Sequence, residues 1–233
     1  MVRDGLIVKL LSIPKSFYVS WRLAGFKKAF SLPVWVRYNT VLNALGGVVR
    51  FGNDSATFAS LSIGFASSGI SDKKNSRSLL EINKGGVVTV SGKVTFGHGT
   101  KLIVGPKGRL NIEDGVSATA EGTIICYNKI SIGAHSALAW YSMIMDTDFH
   151  SVEDTLSGEI NAASAKIIIG ERCWIGTRSI VLKGTVIPDG CILGANSTAC
   201  SQFHEENTLL AGSPAVEKKH NITKSTKGDF QTL

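Results

Sequence analysis

From Ile169 onward, aliphatic residues return at every sixth position: Ile169, Ile175, Val181, Ile187, Leu193 and Ala199. The residue four places further on is small each time, as Cys173, Ser179, Thr185, Cys191 and Ser197, and glycine directly follows several of the aliphatic positions as Gly170, Gly176 and Gly194. A period of six fits neither a helix of about 3.6 residues per turn nor a meander of hairpins with irregular turns. It fits a short strand and a corner, repeated. If three such units make one turn of a triangular solenoid, residues 18 apart stack at roughly the interstrand distance of ~4.8 Å, which makes Cys173 and Cys191 neighbours in a column of small corner residues. Glycine is expected at the corners, where the backbone turns tightly. The same phase continues upstream through Ile132-Gly133, Leu138 and Ile144, with Ser136 and Ser142 in the small column, and more loosely through Ile112, Ala118 and Ile124. The pattern predicts an all-β solenoid whose backbone hydrogen bonds run from coil to coil and whose ends need caps.

The repeat is interrupted once. After Ile144 the next secure aliphatic corner is Ile169, 25 residues on, which is not a multiple of six. Residues 145–166 are therefore predicted to be extruded from the solenoid, and interruptions of this kind are where function is commonly placed. The segment holds His150 among Asp146, Asp148, Glu153 and Asp154. Taken alone, that composition also suits a solvated loop histidine surrounded by acids.

Composition changes the picture at the two ends. The chain of 233 residues carries a net charge of +7, yet residues 1–40 contain seven basic residues against Asp4 alone, and residues 216–233 hold four against two acids. The stretch between them is near neutral, so the charge is no footprint of a nucleic-acid-binding face, and nucleic acid is not an expected partner. Phe17, Tyr18, Trp21, Phe26, Phe30, Trp35 and Tyr38 concentrate in the same N-terminal region. Three parts are expected: a basic, aromatic segment 1–45, helical over 15–32 between Pro14 and Pro33; the solenoid, 46–215; and a basic tail, 216–233. The N-terminal segment is read first as a cap on the first coil, with peripheral association to an anionic membrane through residues 1–40 as the sharper alternative. Cys126, Cys173, Cys191 and Cys200 form no CxxC pair or zinc spacing, so no metal is expected. With no evident signal peptide, reduced thiols in a bacterial-type cytoplasm, at most at the inner face of the membrane, are the default reading.

WIG (Trp174, Ile175, Gly176), LKG (Lys183, Gly184), LGA (Leu193, Gly194, Ala195) and AGSPA (Ala211 to Ala215) follow one another in this order. This tract resembles the hexapeptide-repeat acyltransferases, in particular the sugar and polysaccharide O-acetyltransferases, over residues 110–219. The resemblance implies a left-handed parallel β-helix and a homotrimer with active sites at its subunit interfaces. It also implies acetyl-CoA as cosubstrate with no permanently bound cofactor, and a saccharide acceptor of a surface polysaccharide or its precursor. His150 then corresponds to the family's loop histidine, which takes the proton of the attacking hydroxyl; an imidazole near neutral pKa suits that task. Asp148 is the first choice to orient it. The resemblance assigns the backbone of Thr177 to the thioester oxygen and that of Ala195 to the pantetheine arm. Pro214 falls near the adenine. Cys200 and Ser201 stand where the family usually has Thr-Lys at the phosphate-bearing end; Ser201 supplies no charge there, which leaves Lys219 and Lys218 as candidate cations. An amino-sugar N-acetyltransferase and a non-catalytic β-helix scaffold are the alternatives.

Overall fold

The computed structural model describes residues 5–52, 56–65, 71–72 and 74–225. Residues 1–4 of the basic N-terminal segment and 226–233 of the tail lie outside the described residues. Each coil contributes strands to three sheets, and each strand pairs in parallel with its counterpart one coil further on. The first face runs from Val34–Val36 to Leu209–Gly212, the second from Val41–Leu45 to Thr198–Ala199, and the third from Val48–Phe51 to Val186–Ile187.

The six-residue columns are the core. Ile112, Ile132, Ile169 and Ile187 stack in register on the third face. Ala118, Leu138, Ile175 and Leu193 do so on the first, and Ile124, Ile144, Val181 and Ala199 on the second. None of the twelve is more than 3% exposed. An 18-residue register holds where Trp174 pairs Ile192 and Ile180 pairs Thr198. Upstream, Arg109 pairs Lys129, and Val87 pairs Arg109, at separations of 20 and 22. Strands there reach four residues, as in Arg109–Ile112, whereas Val186–Ile187 has two. The longer strands blur the period of six before the solenoid itself ends.

The small column does more than fill corners. Ser136 Oγ donates to the Gly170 carbonyl at 2.8 Å and accepts the Cys173 N–H at 3.0 Å, while Ser179 Oγ donates to the Gly194 carbonyl at 2.6 Å. These hydroxyls tie one coil to the next. Cys173 and Cys126 are buried, and burial pushes both thiols up to about 12, which leaves them unreactive packing groups.

The expected corner role holds for glycines such as Gly92, Gly115, Gly184 and Gly190, which have positive φ, but not for those that follow the aliphatic positions. The left-handed corner position is filled by Arg172, Arg178 and Asn196 (φ 55°, 57° and 55°) as well as by Gly184 and Gly190. Gly176, by contrast, has no positive φ; a Cβ there would lie 2.5 Å from the Leu193 carbonyl oxygen and 2.8 Å from the Ala195 nitrogen. Gly133 is likewise closed off, by the Gly170 carbonyl carbon at 2.5 Å. Glycine after the aliphatic position lets the next coil come close.

Both ends differ from expectation. The first coil starts at Val34–Val36, inside the segment assigned to a cap, because its strands pair with Leu61–Ile63 and Leu79–Ile82 without keeping the hexad phase. Helix α1 (Leu6–Ala24) runs through Pro14 instead of starting after it, and is followed by the short α2 (Phe26–Ala29). What holds α1 is a ladder of serines. Ser16 Oγ donates to the Val36 carbonyl and accepts its N–H (3.1 and 3.0 Å), Ser20 does the same for Val34 (3.1 and 3.2 Å), and Ser12 Oγ accepts the Tyr38 N–H at 3.0 Å. At the other end, the first residues of the expected tail form a strand, Ala215–Lys219, which pairs antiparallel with Leu209–Gly212 and stops the parallel stacking.

Replacing Ser16 with Ala strands two buried backbone groups of Val36, and each unmet group costs about 1–3 kcal/mol. Urea denaturation should therefore show a loss of stability of about 2–6 kcal/mol, with no change in the far-ultraviolet circular dichroism of the folded baseline.

Candidate functional site

Trp174–Ile175 lies on the first face, and Gly176 and Thr177 begin the corner that leads to the second. Because Gly176 admits the next coil so closely, the surface there sinks into a groove of ≈ 130 Å³ lined by Trp174, Gly176, Thr177, Ile192, Leu193, Gly194 and Ala195. A second hollow of ≈ 270 Å³ adjoins it, lined by Thr119, Ala139, Trp140, Trp174 and Thr177. Thr177 and Ala195 are thus brought together in one groove. Their carbonyl and N–H groups are used unequally: the Thr177 carbonyl accepts the Asn196 N–H at 2.9 Å, whereas the N–H groups of Thr177 and Ala195 find no acceptor among the described residues. Unmet N–H donors on residues that line an apolar groove are suited to a polar oxygen of an otherwise apolar ligand. The walls Trp140 and Trp174 were missed as site residues; large exposed indoles in a repeat otherwise built of aliphatic and small residues were the available signal.

His150 belongs to the next corner. The excursion leaves the second face after Met143–Met145 and returns to the third at Ile167–Ile169. Its neck is tightly held. Asp146 is fully buried and accepts the N–H groups of Tyr127 (2.7 Å) and Asn128 (2.8 Å); burial nevertheless raises its pKa. Phe149 packs edge-on against Tyr127, with ring centroids 5.0 Å apart. Further out, Val152–Glu153 and Ile160–Asn161 form an antiparallel hairpin, with the Asp154 carboxylate accepting the Leu156 and Ser157 N–H groups at its turn. Those bonds hold the Asp154 pKa below its ordinary value. His150 sits between neck and hairpin, exposed and with no hydrogen-bond or ion-pair partner among the described residues.

Asp148 does not orient His150 in this structure. Its carboxylate is paired with Lys183 Nζ at 2.7 Å, and the same ammonium donates to the Ala162 carbonyl at 2.6 Å. Lys183 of the LKG motif therefore clamps both limbs of the excursion to the coil beneath. The remaining candidates are spread out. Cys200 and Ser201 are exposed and follow Thr198–Ala199, on the same corner as the His150 excursion and across the second face from Thr177. Pro214 stands in the terminal hairpin turn, which is tied to the groove's corner by Gly212 N–H on Ser197 Oγ and Ser213 Oγ on Thr198 Oγ1, both at 3.1 Å. Lys219 pairs with Leu209 at the far end of that hairpin, roughly 13 Å of extended strand from the turn. The fold does not gather it with Ser201.

The family model described as "Hexapeptide repeat of succinyl-transferase" matches residues 166–198. A 24.8 kDa protein of the cps region of Klebsiella pneumoniae is 34% identical over 149 residues, which cover 64% of this chain and 65% of that one. WbbJ of Escherichia coli K12, assigned by name to O-acetyl transfer in lipopolysaccharide biosynthesis, is 30% identical over 60% of this chain and 76% of its own length. The chain belongs to the hexapeptide-repeat acyltransferase family, and its solenoid is the family's left-handed parallel β-helix. WcaF of E. coli K12, named for colanic acid biosynthesis acetyl transfer, is 33% identical over 40% of this chain. The matched stretch spans less than two thirds of the Klebsiella protein and about half of WcaF. Among solved structures, the polysialic acid acetyltransferase NeuO and the polysialic acid O-acetyltransferase OatWY superpose with TM-scores of 0.48 and 0.44. Their identities are 18% and 21%, over 83% and 84% of this chain and 91% and 92% of theirs.

The clamp can be tested apart from any activity. A Lys183→Ala substitution should expose the excursion to protease, with cleavage between residues 147 and 165 accelerated several-fold in mass-spectrometric time courses. The melting transition should move little, since a partly exposed ion pair contributes about 0–1 kcal/mol.

Proposed function

We propose that this protein transfers the acetyl group of acetyl-CoA to a sugar hydroxyl of a surface polysaccharide or its precursor. The observation that carries this reading is the split between two corners of the same coils: a groove with two unpaired N–H donors on one, and an exposed, unpartnered imidazole on a clamped excursion at the next. One chain does not close these around a substrate. In this reading a second copy lying alongside closes them, in a trimer whose sites each take the groove from one subunit and His150 from a neighbour. The polysaccharide acceptor and the hydroxyl, as opposed to an amine, are supported by the names of WbbJ and WcaF.

In this reading acetyl-CoA lies along the groove with its thioester oxygen toward the Thr177 N–H and its pantetheine arm past Ala195. Ser201, Cys200 and Pro214 are left to the more distant parts of the coenzyme. His150 removes the proton from the acceptor hydroxyl as the hydroxyl oxygen bonds to the thioester carbonyl carbon. The negative charge developing on the carbonyl oxygen is met by the Thr177 N–H. As the tetrahedral adduct collapses, the carbon–sulfur bond breaks and the leaving thiolate takes the proton back from the imidazolium, giving the acetyl ester and free CoA. No acyl-enzyme is required.

The test is release of free CoA from acetyl-CoA in the presence of sugar nucleotides, glycosides and lipid-linked oligosaccharides. His150→Ala should lower kcat by about 10²–10⁴-fold, the span of general-base contributions, while the elution volume of the assembly stays the same. Turnover near that of the unaltered chain would overturn the assignment.

A further inference from the structure

Helix α1 is turned the unusual way round. The side that meets the solenoid carries Ser12, Ser16 and Ser20 together with Val19 and Leu23, all buried. At about 100° per residue, the opposite side is an unbroken arc of about 140° made of Leu6, Phe17, Leu10, Trp21, Pro14, Ile7, Tyr18 and Leu11. Apart from the half-buried Phe17, its members are left in solvent: Ile7 is 73% exposed, Leu6 71% and Leu11 56%. The arc continues into α2 through edge-on contacts of Phe26 with Trp21 (6.0 Å) and with Phe30 (5.3 Å), and Phe30 is itself 69% exposed.

Serine pairing with the edge strand already fixes this helix to the first coil, so docking does not explain the apolar arc. Its charged border indicates what does. Lys15 and Arg22 flank one edge, Lys27 lies exposed on α2, and no acidic residue occurs anywhere between residues 5 and 53. A second copy meeting this face would bring cation against cation with no carboxylate to offset them. An anionic bilayer supplies both missing complements, hydrocarbon for the arc and negative charge for its rim. The helix is not long and apolar enough to cross a membrane, which leaves it lying in the interface.

We infer that the exposed face of α1 and α2 is a docking surface for an anionic phospholipid bilayer. The full chain should sediment with vesicles of phosphatidylcholine containing about 30% phosphatidylglycerol, and far less with pure phosphatidylcholine or in high salt. Leu10→Glu and Trp21→Glu should each weaken sedimentation at least tenfold, with the circular dichroism and the melting transition unchanged. In the unaltered chain, acyl-brominated lipids should quench part of the tryptophan emission, and Trp21→Phe should remove that quenching while keeping the binding. Vesicle binding needs no turnover, so it is read independently of acetyl transfer. Three results would each overturn the inference: no sedimentation with the anionic vesicles, equal sedimentation of both Glu variants, or lipid-free self-association that Leu10→Glu abolishes.

Discussion

Everything in this chain depends on one coil resting its backbone on the next. Parallel strand pairing supplies hydrogen bonds only between coils, never within one, so no coil is stable alone and the two terminal coils present unmet groups. The corners obey the same constraint. Gly176 and Gly133 are glycine because a Cβ would hold the neighbouring coil off, and Ser136 and Ser179 lie buried because their hydroxyls reach across to it. At the ends the requirement is met by different means: a helix offering serine hydroxyls to Val34 and Val36, and a strand that folds back antiparallel.

The site is a product of the same stacking. Since residues that follow one another along the solenoid axis lie on one corner, Thr177 and Ala195 meet although 18 positions separate them, while His150 and Thr177 are kept on different corners. An excursion is the means by which such a rod projects a side chain beyond its own flank. A flexible excursion would lose the advantage of a rigid scaffold. Asp146, the Tyr127–Phe149 contact and the Lys183 clamp on Asp148 and Ala162 limit that freedom at the neck.

The three core columns were legible in the sequence because inward positions of a short-strand coil tolerate only aliphatic or small residues, and the break at His150 was legible because it violates that rule. Three features were not. Lys183 and Asp148 share no periodic position, and their pairing exists only once the excursion has folded back. The first coil hid inside an aromatic segment because strand lengths there depart from the hexad. The serine ladder was invisible for a further reason: serines at every fourth position of a helix read as its solvent side, yet here they complete the hydrogen bonds of an edge strand, so the apparent inside and outside of α1 are exchanged.

Under the proposed docking, that exchange would constrain the acceptor. The first-face strand of the capped coil, Val34–Val36, is five strand spacings from Trp174–Ile175 at the groove, about 24 Å along the axis. With α1 lying in the interface as proposed and the solenoid axis along the bilayer normal, the reacting groups would stand that far above the bilayer. A saccharide joined to a membrane lipid would reach them only through residues well out along its chain, and a single sugar next to the lipid would fall short. A free sugar nucleotide would gain nothing from the membrane. On the proposed function and docking, a chain held upright by its N-terminal cap would be matched to an acceptor already grown to several sugars, and vesicle-bound enzyme that turned over a lipid-linked monosaccharide as readily as a longer oligosaccharide would contradict that geometry.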